Sequence, residues 1–218
     1  MLGDRNLRDI IEKTFDRLYQ DLDVKIDKAN PDQIHAIEAS LCMRLAYYER
    51  RDPLPADNIT KMSILLSHGM RKALNNAHGE YKMDSLALQV DADMIIADEF
   101  VVRFEVVPEL PEVPHPRHML YLNACLFALG KQDGFLIYMT GDGKTAEFSI
   151  TKSNKMFEEI VRRARVLSTL LKENKVPIVE PSDLCLNCKY YSRCYAREKL
   201  KEGSGDLLDD LFGKLKGK

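Results

Sequence analysis

Three cysteines within ten residues, Cys185, Cys188 and Cys194, are the densest concentration of reactive side chains in the chain. Thiolates bind soft and borderline metals, and a two-residue gap lets neighbouring sulfurs turn toward one centre. Three sulfurs leave a tetrahedral site or a cubane cluster one ligand short, and Cys42 or Cys125, both far upstream, could supply it. Spacing alone permits zinc or iron-sulfur chemistry. The plainer alternative is three unrelated buried thiols, although free cysteines seldom cluster this closely. A metal bridge from Cys42 to the trio would close a loop of about 140 residues and tie the N-terminal helices to the C-terminal segment.

A second constellation is Asp93, ahead of the apolar run Met94-Ile95-Ile96, with Glu105 inside VVRFEVV. Two carboxylates on facing strands can converge on one magnesium or manganese ion, an arrangement that serves phosphodiester hydrolysis. Charge inside an apolar strand is costly unless paired or ligated. The competing reading is a solvated ion-pair row, since Glu99, Arg103 and Glu105 fall on one side of an extended strand. His68, in ILLSHGMRKAL, is a third candidate ligand. A lone helical histidine reads equally as a packing residue, as do His78, His115 and His118.

These side chains need a scaffold, and the composition supplies one. The chain has 218 residues, 45% of them hydrophobic, enough for a sizeable core in one domain or two small ones. Lys and Arg number 32 against 34 Asp and Glu, a formal net charge of -2, so contact with nucleic acid must come from a local basic patch. No window approaches the roughly 18 consecutive apolar residues of a membrane span. The N-terminus MLGDRNLRDIIEKTFDRL is charged throughout, and five cysteines is an odd count. Together these point away from a secreted disulfide framework and toward a soluble, reducing, cytoplasmic setting.

Residues 4–22 place Leu7, Ile10, Ile11, Phe15, Leu18 and Leu22 at helical steps. A second helix is expected from Pro31 to about Arg51, with Cys42 inside it, and a third over 59–77. The period then shortens: LALQVDADMIIA and EFVVRFEVV predict two strands joined by a tight turn. PELPEVPHPRH, with four prolines, is a loop. Residues 117–129 predict a buried helix stopped at Gly130, FLIYMT and AEFSIT a second hairpin, and 153–174 a long amphipathic helix. GSGDLLDDLFGKLKGK reads as a linker and short tail, 204–218. Helix, hairpin, helix, hairpin, helix describes a mixed sheet covered by helices.

Taken together, Ser40-x-Cys42-x-Arg44-x-x-Tyr47-Tyr48, the His68 helix, the Asp93 and Glu105 strands and the cysteine trio resemble the iron-sulfur branch of the RecB-like PD-(D/E)xK nucleases, above all the CRISPR-associated exonucleases of the Cas4 type. The resemblance covers roughly residues 36–200. It implies an α/β fold: a restriction-endonuclease-like central mixed sheet flanked by helices, with an iron-sulfur-stapled helical lobe. Residues 1–203 would form one nuclease-like domain, with its core at 53–178 and the cluster-bearing lobe built from 1–52 and 179–203. Cys42, Cys185, Cys188 and Cys194 would hold a 4Fe-4S cluster, with Cys125 a bystander. His68, Asp93 and Glu105 would be the catalytic residues, binding Mg or Mn for hydrolysis of single-stranded DNA ends in CRISPR spacer acquisition or DNA repair.

The departures are specific. The family reads Glu-x-Lys on the second strand, whereas this chain reads Glu105-Val106-Val107 and lacks the lysine that activates water. On the next helix Tyr121 stands at the family's glutamine and Cys125 at its tyrosine. Arg103 could supply positive charge but, always protonated, could not act as a base. Two further outcomes therefore stand beside the nuclease: a catalytically degenerate DNA-binding or scaffolding subunit, and a zinc-stabilised interaction protein. The expected DNA contacts are Arg162 and Arg163 on the basic face of the last helix, with Lys189 and Arg193 beside the cysteines. A solvated helix face explains the same charges. Tyr190, Tyr191 and Tyr195 could stack on bases or pack over the cluster.

Overall fold

The computed structural model describes residues 7–22, 24–56, 61, 64–66, 69, 72–74, 76–182, 185–186 and 188–195. The chain divides into two compact units, Met1–Pro177 and Ile178–Lys218. In the first unit, α1 (Leu7–Leu22) leads to β1 (Gln33–His35), α2 (Ala36–Ser40) and α3 (Met43–Arg51). Then come β2 (Ala77–Met83), β3 (Leu86–Ala92), β4 (Met94–Ile96), β5 (Phe100–Val106), α4 (Pro116–Ala128), β6 (Asp133–Met139), β7 (Thr145–Thr151) and α5 (Asn154–Lys172).

The strands form two sheets, where one central sheet was expected. One has the order β1-β3-β2, with β1 parallel to β3; the other has the order β4-β5-β6-β7, with β5 parallel to β6. Both are mixed, and helices pack on them. The predicted strand over LALQVDADMIIA is divided at Asp93, so that β3 joins the first sheet and β4 the second. The β4–β5 turn places Ala97 and Asp98 both at positive φ, 53° and 56°, as a primed two-residue turn requires. Lys131 Nζ secures it, donating to the Asp98 carbonyl at 2.6 Å and its carboxylate at 2.7 Å. In β6, a Cβ at Gly134 would stand 2.6 Å from the Val101 carbonyl oxygen, so no larger residue fits there.

The predicted helix over 31–51 is also interrupted. Gln33–His35 pair with β3, and the helix restarts after Leu41. The cause is local: the Glu38 carboxylate accepts from the His35 N–H at 2.9 Å, and His35 Nδ1 accepts from the Ile37 N–H at 3.2 Å, a capping box that starts α2 at Ala36. Arg50, buried, donates to both Glu38 oxygens at 2.6 and 2.7 Å and to the carbonyls of Asp27, Asn30 and Gln33, so this inner carboxylate is fully used. Of the third expected helix, residues 61, 64–66, 69 and 72–73 are helical, and β2 already begins at Ala77.

The core lies around α4, whose Tyr121–Leu126 stretch is buried, against strands of both sheets on one side and α5 on the other. The helix α5 starts at Ser153, whose hydroxyl accepts from the Met156 N–H, and buries Phe157, Ile160, Ala164, Leu167 and Leu171. Arginines from α3 tie off its far end: Arg51 donates to the Leu171 carbonyl, and Arg44 to that of Pro177 at 2.6 Å. The stripe expected on α1 leaves Ile10, Phe15 and Leu18 exposed.

In the second unit, Cys185 and Leu186 form a short turn and residues 191–195 a single helical turn. No helix among the described residues is long and apolar enough to cross a membrane.

Candidate functional site

Asp93 sits at the break between β3 and β4, where its N–H donates to the Val102 carbonyl at 3.2 Å. Its side chain is 1% exposed. Opposite, Arg103 and Glu105 are two residues apart on β5 and so share a face. The three side chains converge, as expected for Asp93 and Glu105, but through Arg103. The guanidinium donates from Nη1 to Asp93 Oδ1 at 3.2 Å and from Nε to Glu105 Oε1 at 2.8 Å. Asp93 Oδ2 accepts from the Phe104 N–H at 2.6 Å. Burial alone would pull the Arg103 pKa down; Glu105 first and Asp93 second outweigh it and push it above the ordinary arginine range. Of the competing solvated row, Glu99 is exposed, whereas Arg103 and Glu105 belong with Asp93 to a network largely closed to water.

Tyr121 of α4 forms the floor. Its ring lies 4.5 Å below Arg103 Cζ, a cation–π contact out of water. Its hydroxyl donates to the Asp91 carbonyl at 2.8 Å and accepts from the Asp91 N–H at 3.2 Å. The Asp91 carboxylate in turn meets His78 Nδ1 across the β2–β3 ladder, and His35 Nε2 stands 3.3 Å from its other oxygen. Burial works to raise the Asp91 pKa, but the two histidines, His35 foremost, outweigh it and hold the carboxyl down at about 2.

On the Glu105 side, His118 Nε2 is 3.8 Å from Glu105 Oε2 and accepts from Arg117 Nε at 3.0 Å. With Nε2 accepting, Nδ1 carries the proton and donates to the Tyr138 hydroxyl at 3.0 Å, which also accepts from the His115 N–H at 2.9 Å. Burial foremost, with Arg117, His115 and Arg103 adding to it against Glu105, pushes the His118 pKa down to about 4. The imidazole is therefore neutral at pH 7.

A divalent ion needs carboxylate lone pairs turned to one open point. Here both carboxylates accept from Arg103, Asp93 Oδ2 accepts from the backbone, and a permanent cation fills the space between the two side chains. This donor set, as it is placed, does not fit such an ion. His68 lies outside the described residues. Among the described residues no group of three or more His, Cys, Asp or Glu side chains stands arranged to hold a metal.

The cysteines fall in different places. Cys42 is the half-buried residue just before α3 in the first unit, and Cys125 is fully buried in α4 with its sulfur 4.0 Å from the Asp91 carbonyl. In the second unit Cys185, Cys188 and Cys194 are unbridged and half-buried, and Cys185 Sγ accepts from the Ser182 N–H at 3.4 Å. Thiols are the donor type that a soft metal or cluster takes. Burial, then Cys185, raises the Tyr195 pKa.

The four expected DNA contacts separate by environment. Arg162 is exposed and holds Glu159 at 2.7 and 2.8 Å. Arg163 instead turns inward, donating to the Ala39 and Leu41 carbonyls at 2.6 and 2.5 Å, where it closes the end of α2. Lys189 and Arg193 lie 5.2 and 5.4 Å from the ring of Tyr190, which is fully buried. Tyr190 is thus a packing residue, and Tyr191 and Tyr195 pack on each other at 4.5 Å.

Sequence reasoning missed Asp91, His35 and Tyr138 as members of this network. Asp91 carried one signal: it stands two residues before Asp93, on the same side of an extended strand. His35 and Tyr138 carried none.

No family model and no curated protein matches the chain. Solved structures do. The crystal structure of SSO0001 superimposes with a TM-score of 0.59 at 18% identity, covering 85% of this chain and 96% of that one. An alkaline exonuclease from Laribacter hongkongensis gives 0.45 at 10% identity over 73% and 93% of the two chains. A phage-related exonuclease from Haemophilus somnus 129PT gives 0.42 at 7% over 61% and 82%. The first shows a shared fold; the exonucleases superimpose more loosely.

Proposed function

We propose that this chain is a RecB-like nuclease fold kept as a DNA-binding or complex-scaffolding subunit, with little or no hydrolysis of its own. The observation that carries this is the Arg103 guanidinium, bonded to both Asp93 and Glu105 where a nuclease of the resembled family would hold its ion. Val107, in place of the water-activating lysine, acts in the same direction. Losing one positioned acid-base group typically costs about a hundred- to ten-thousandfold in rate, and here the metal-binding carboxylates are engaged as well.

The finer assignment is to the Cas4 type, on the strength of the motif resemblance. In it Cys42, Cys185, Cys188 and Cys194 hold a 4Fe-4S cluster, which staples the chain and takes no part in hydrolysis. Single-stranded DNA is the proposed nucleic-acid partner, with Arg162, Lys189 and Arg193 as its phosphate contacts. A CRISPR or repair protein is the proposed protein partner, in the cytoplasm.

The test is binding and cleavage of end-labelled single-stranded DNA by anaerobically purified protein in magnesium or manganese, beside Asp93→Asn. Salt-sensitive binding with no degradation by either protein is expected. Degradation that disappears in Asp93→Asn would overturn the assignment and establish an active nuclease.

A further inference from the structure

We propose that Arg103 is a built-in substitute for a divalent cation, and that the site beneath it is a latent metal site which the arginine keeps closed. This rests on the proposed function above and states how the centre was silenced.

Three observations carry the inference. First, the guanidinium reaches both carboxylates at once, Asp93 at 3.2 Å and Glu105 at 2.8 Å, as a bridging ion would. Second, it does so in a space closed to water: Arg103 and Asp93 side chains are 4% and 1% exposed, and Glu105 17%. Two carboxylates brought together with so little water require a positive charge between them. Third, the surroundings are fitted to a planar organic cation. Tyr121, at the position where the resembled family carries glutamine, offers its ring face to the guanidinium at 4.5 Å, and Asp91 pins the ring by bonding its hydroxyl through both backbone groups. A ring face favours a guanidinium and offers a hard metal ion no lone pair. The arginine and the tyrosine thus act as one change: a cation supplied by the chain, and the cradle that holds it.

The wild-type fold should be indifferent to divalent metal, whereas removing the arginine should create a metal requirement. Without the guanidinium, Asp93 and Glu105 face each other across the vacated space and gain stability from any small divalent ion that enters it.

The experiment is thermal unfolding of the full-length, cluster-bearing protein with EDTA and with manganese, for wild type, Arg103→Ala and the double variant Arg103→Ala/Asp93→Asn. Wild type should unfold at the same temperature in both conditions. Arg103→Ala should melt lower in EDTA and recover by roughly 5 °C or more in manganese at a roughly hundredfold excess over its dissociation constant. The double variant should lose that recovery. Folded Arg103→Ala that shows no manganese shift would overturn the inference, and so would a manganese shift of the same size in wild type. Should Arg103→Ala fail to fold in EDTA, refolding with manganese reads the same property, and failure in both conditions counts against it. DNA cleavage by wild type would instead strike at the proposed function, so the two can fail separately.

Discussion

Arg103 Cζ stands 4.5 Å from the centroid of the Tyr121 ring, and the Tyr121 hydroxyl is held by both the N–H and the carbonyl of Asp91. One buried side chain thereby couples two strand segments: Asp91 at the end of β3 and Arg103 in the middle of β5. Tyr121→Phe keeps the ring under the guanidinium and removes only the hydroxyl, leaving two half-buried backbone groups of Asp91 without this partner. The expected cost is about 1–3 kcal/mol of unfolding free energy. Urea denaturation measures it; a variant as stable as wild type would mean that water replaces the hydroxyl without loss. Tyr121→Leu, which also removes the ring face, should cost more.

The His118 imidazole gives the protein a pH dependence of known sign. Its pKa in the folded chain is about 4 against the ordinary histidine value of 6.5, with burial as the main cause. Between those values the unfolded chain binds a proton that the folded chain refuses, so stability is full above pH 6.5 and falls as pH drops toward 4. The loss is at most about 3 kcal/mol. Asp91 acts in a separate, more acidic window. Its depressed pKa, about 2 against 3.8, contributes stability present above pH 3.8 and lost on descent toward 2. A melting-temperature profile of wild type beside His118→Gln separates the two. The variant should flatten the fall between pH 6.5 and 4 and leave the lower window unchanged.

Arg162 and Arg163 are neighbours in sequence and opposites in role. Arg163 bonds the Ala39 and Leu41 carbonyls, so Arg163→Ala should cost about 2 kcal/mol of stability by leaving these acceptors without their charged donor. It should leave the salt dependence of DNA binding unchanged. Arg162 bonds Glu159, is well exposed, and is the one of the pair placed to meet phosphate. If it does, Arg162→Ala should reduce the slope of log affinity against log salt by about 1. Fluorescence anisotropy across a salt series, with chemical denaturation of each variant, distinguishes these outcomes.

What the sequence made legible follows the range of the forces involved. Elements with strong local patterns matched closely: α4, α5 and the β6–β7 hairpin fall within a few residues of their expected bounds, because periodicity and turn chemistry are written into adjacent residues. Breaks imposed from outside the segment were hidden. The expected single helix at 31–51 yields to a parallel pairing of Gln33–His35 with β3, a partner more than fifty residues away. Asp93 and Glu105 were recognisable as a converging pair from spacing and motif. That Arg103 lies between them was not, because whether a strand arginine turns to solvent or inward is decided by the burial of the whole sheet. Arg163 shows the same limit: the helical pattern put it with the basic face, and only the packing of α2 reveals that it caps a helix end.

The cysteines make the last prediction, because the structure separates them by environment before any metal is considered. Cys125 is fully enclosed in α4 among core residues and lies near the Asp91 carbonyl, whereas Cys42, Cys185, Cys188 and Cys194 are all partly accessible. The cluster proposed on Cys42, Cys185, Cys188 and Cys194 should make anaerobically purified protein brown, with broad visible absorbance. Cys185→Ala, Cys188→Ala, Cys194→Ala or Cys42→Ala should each lower the iron content and bleach that absorbance. Cys125→Ala should keep the colour and change stability by no more than a small core truncation allows, about 1 kcal/mol. Protein that is colourless when prepared without oxygen, and carries zinc by elemental analysis, would replace the cluster with a tetrahedral zinc site on the same thiols. Loss of colour in Cys125→Ala alone would move the fourth ligand from the start of α3 to the buried helix, and with it the segment that the metal ties down.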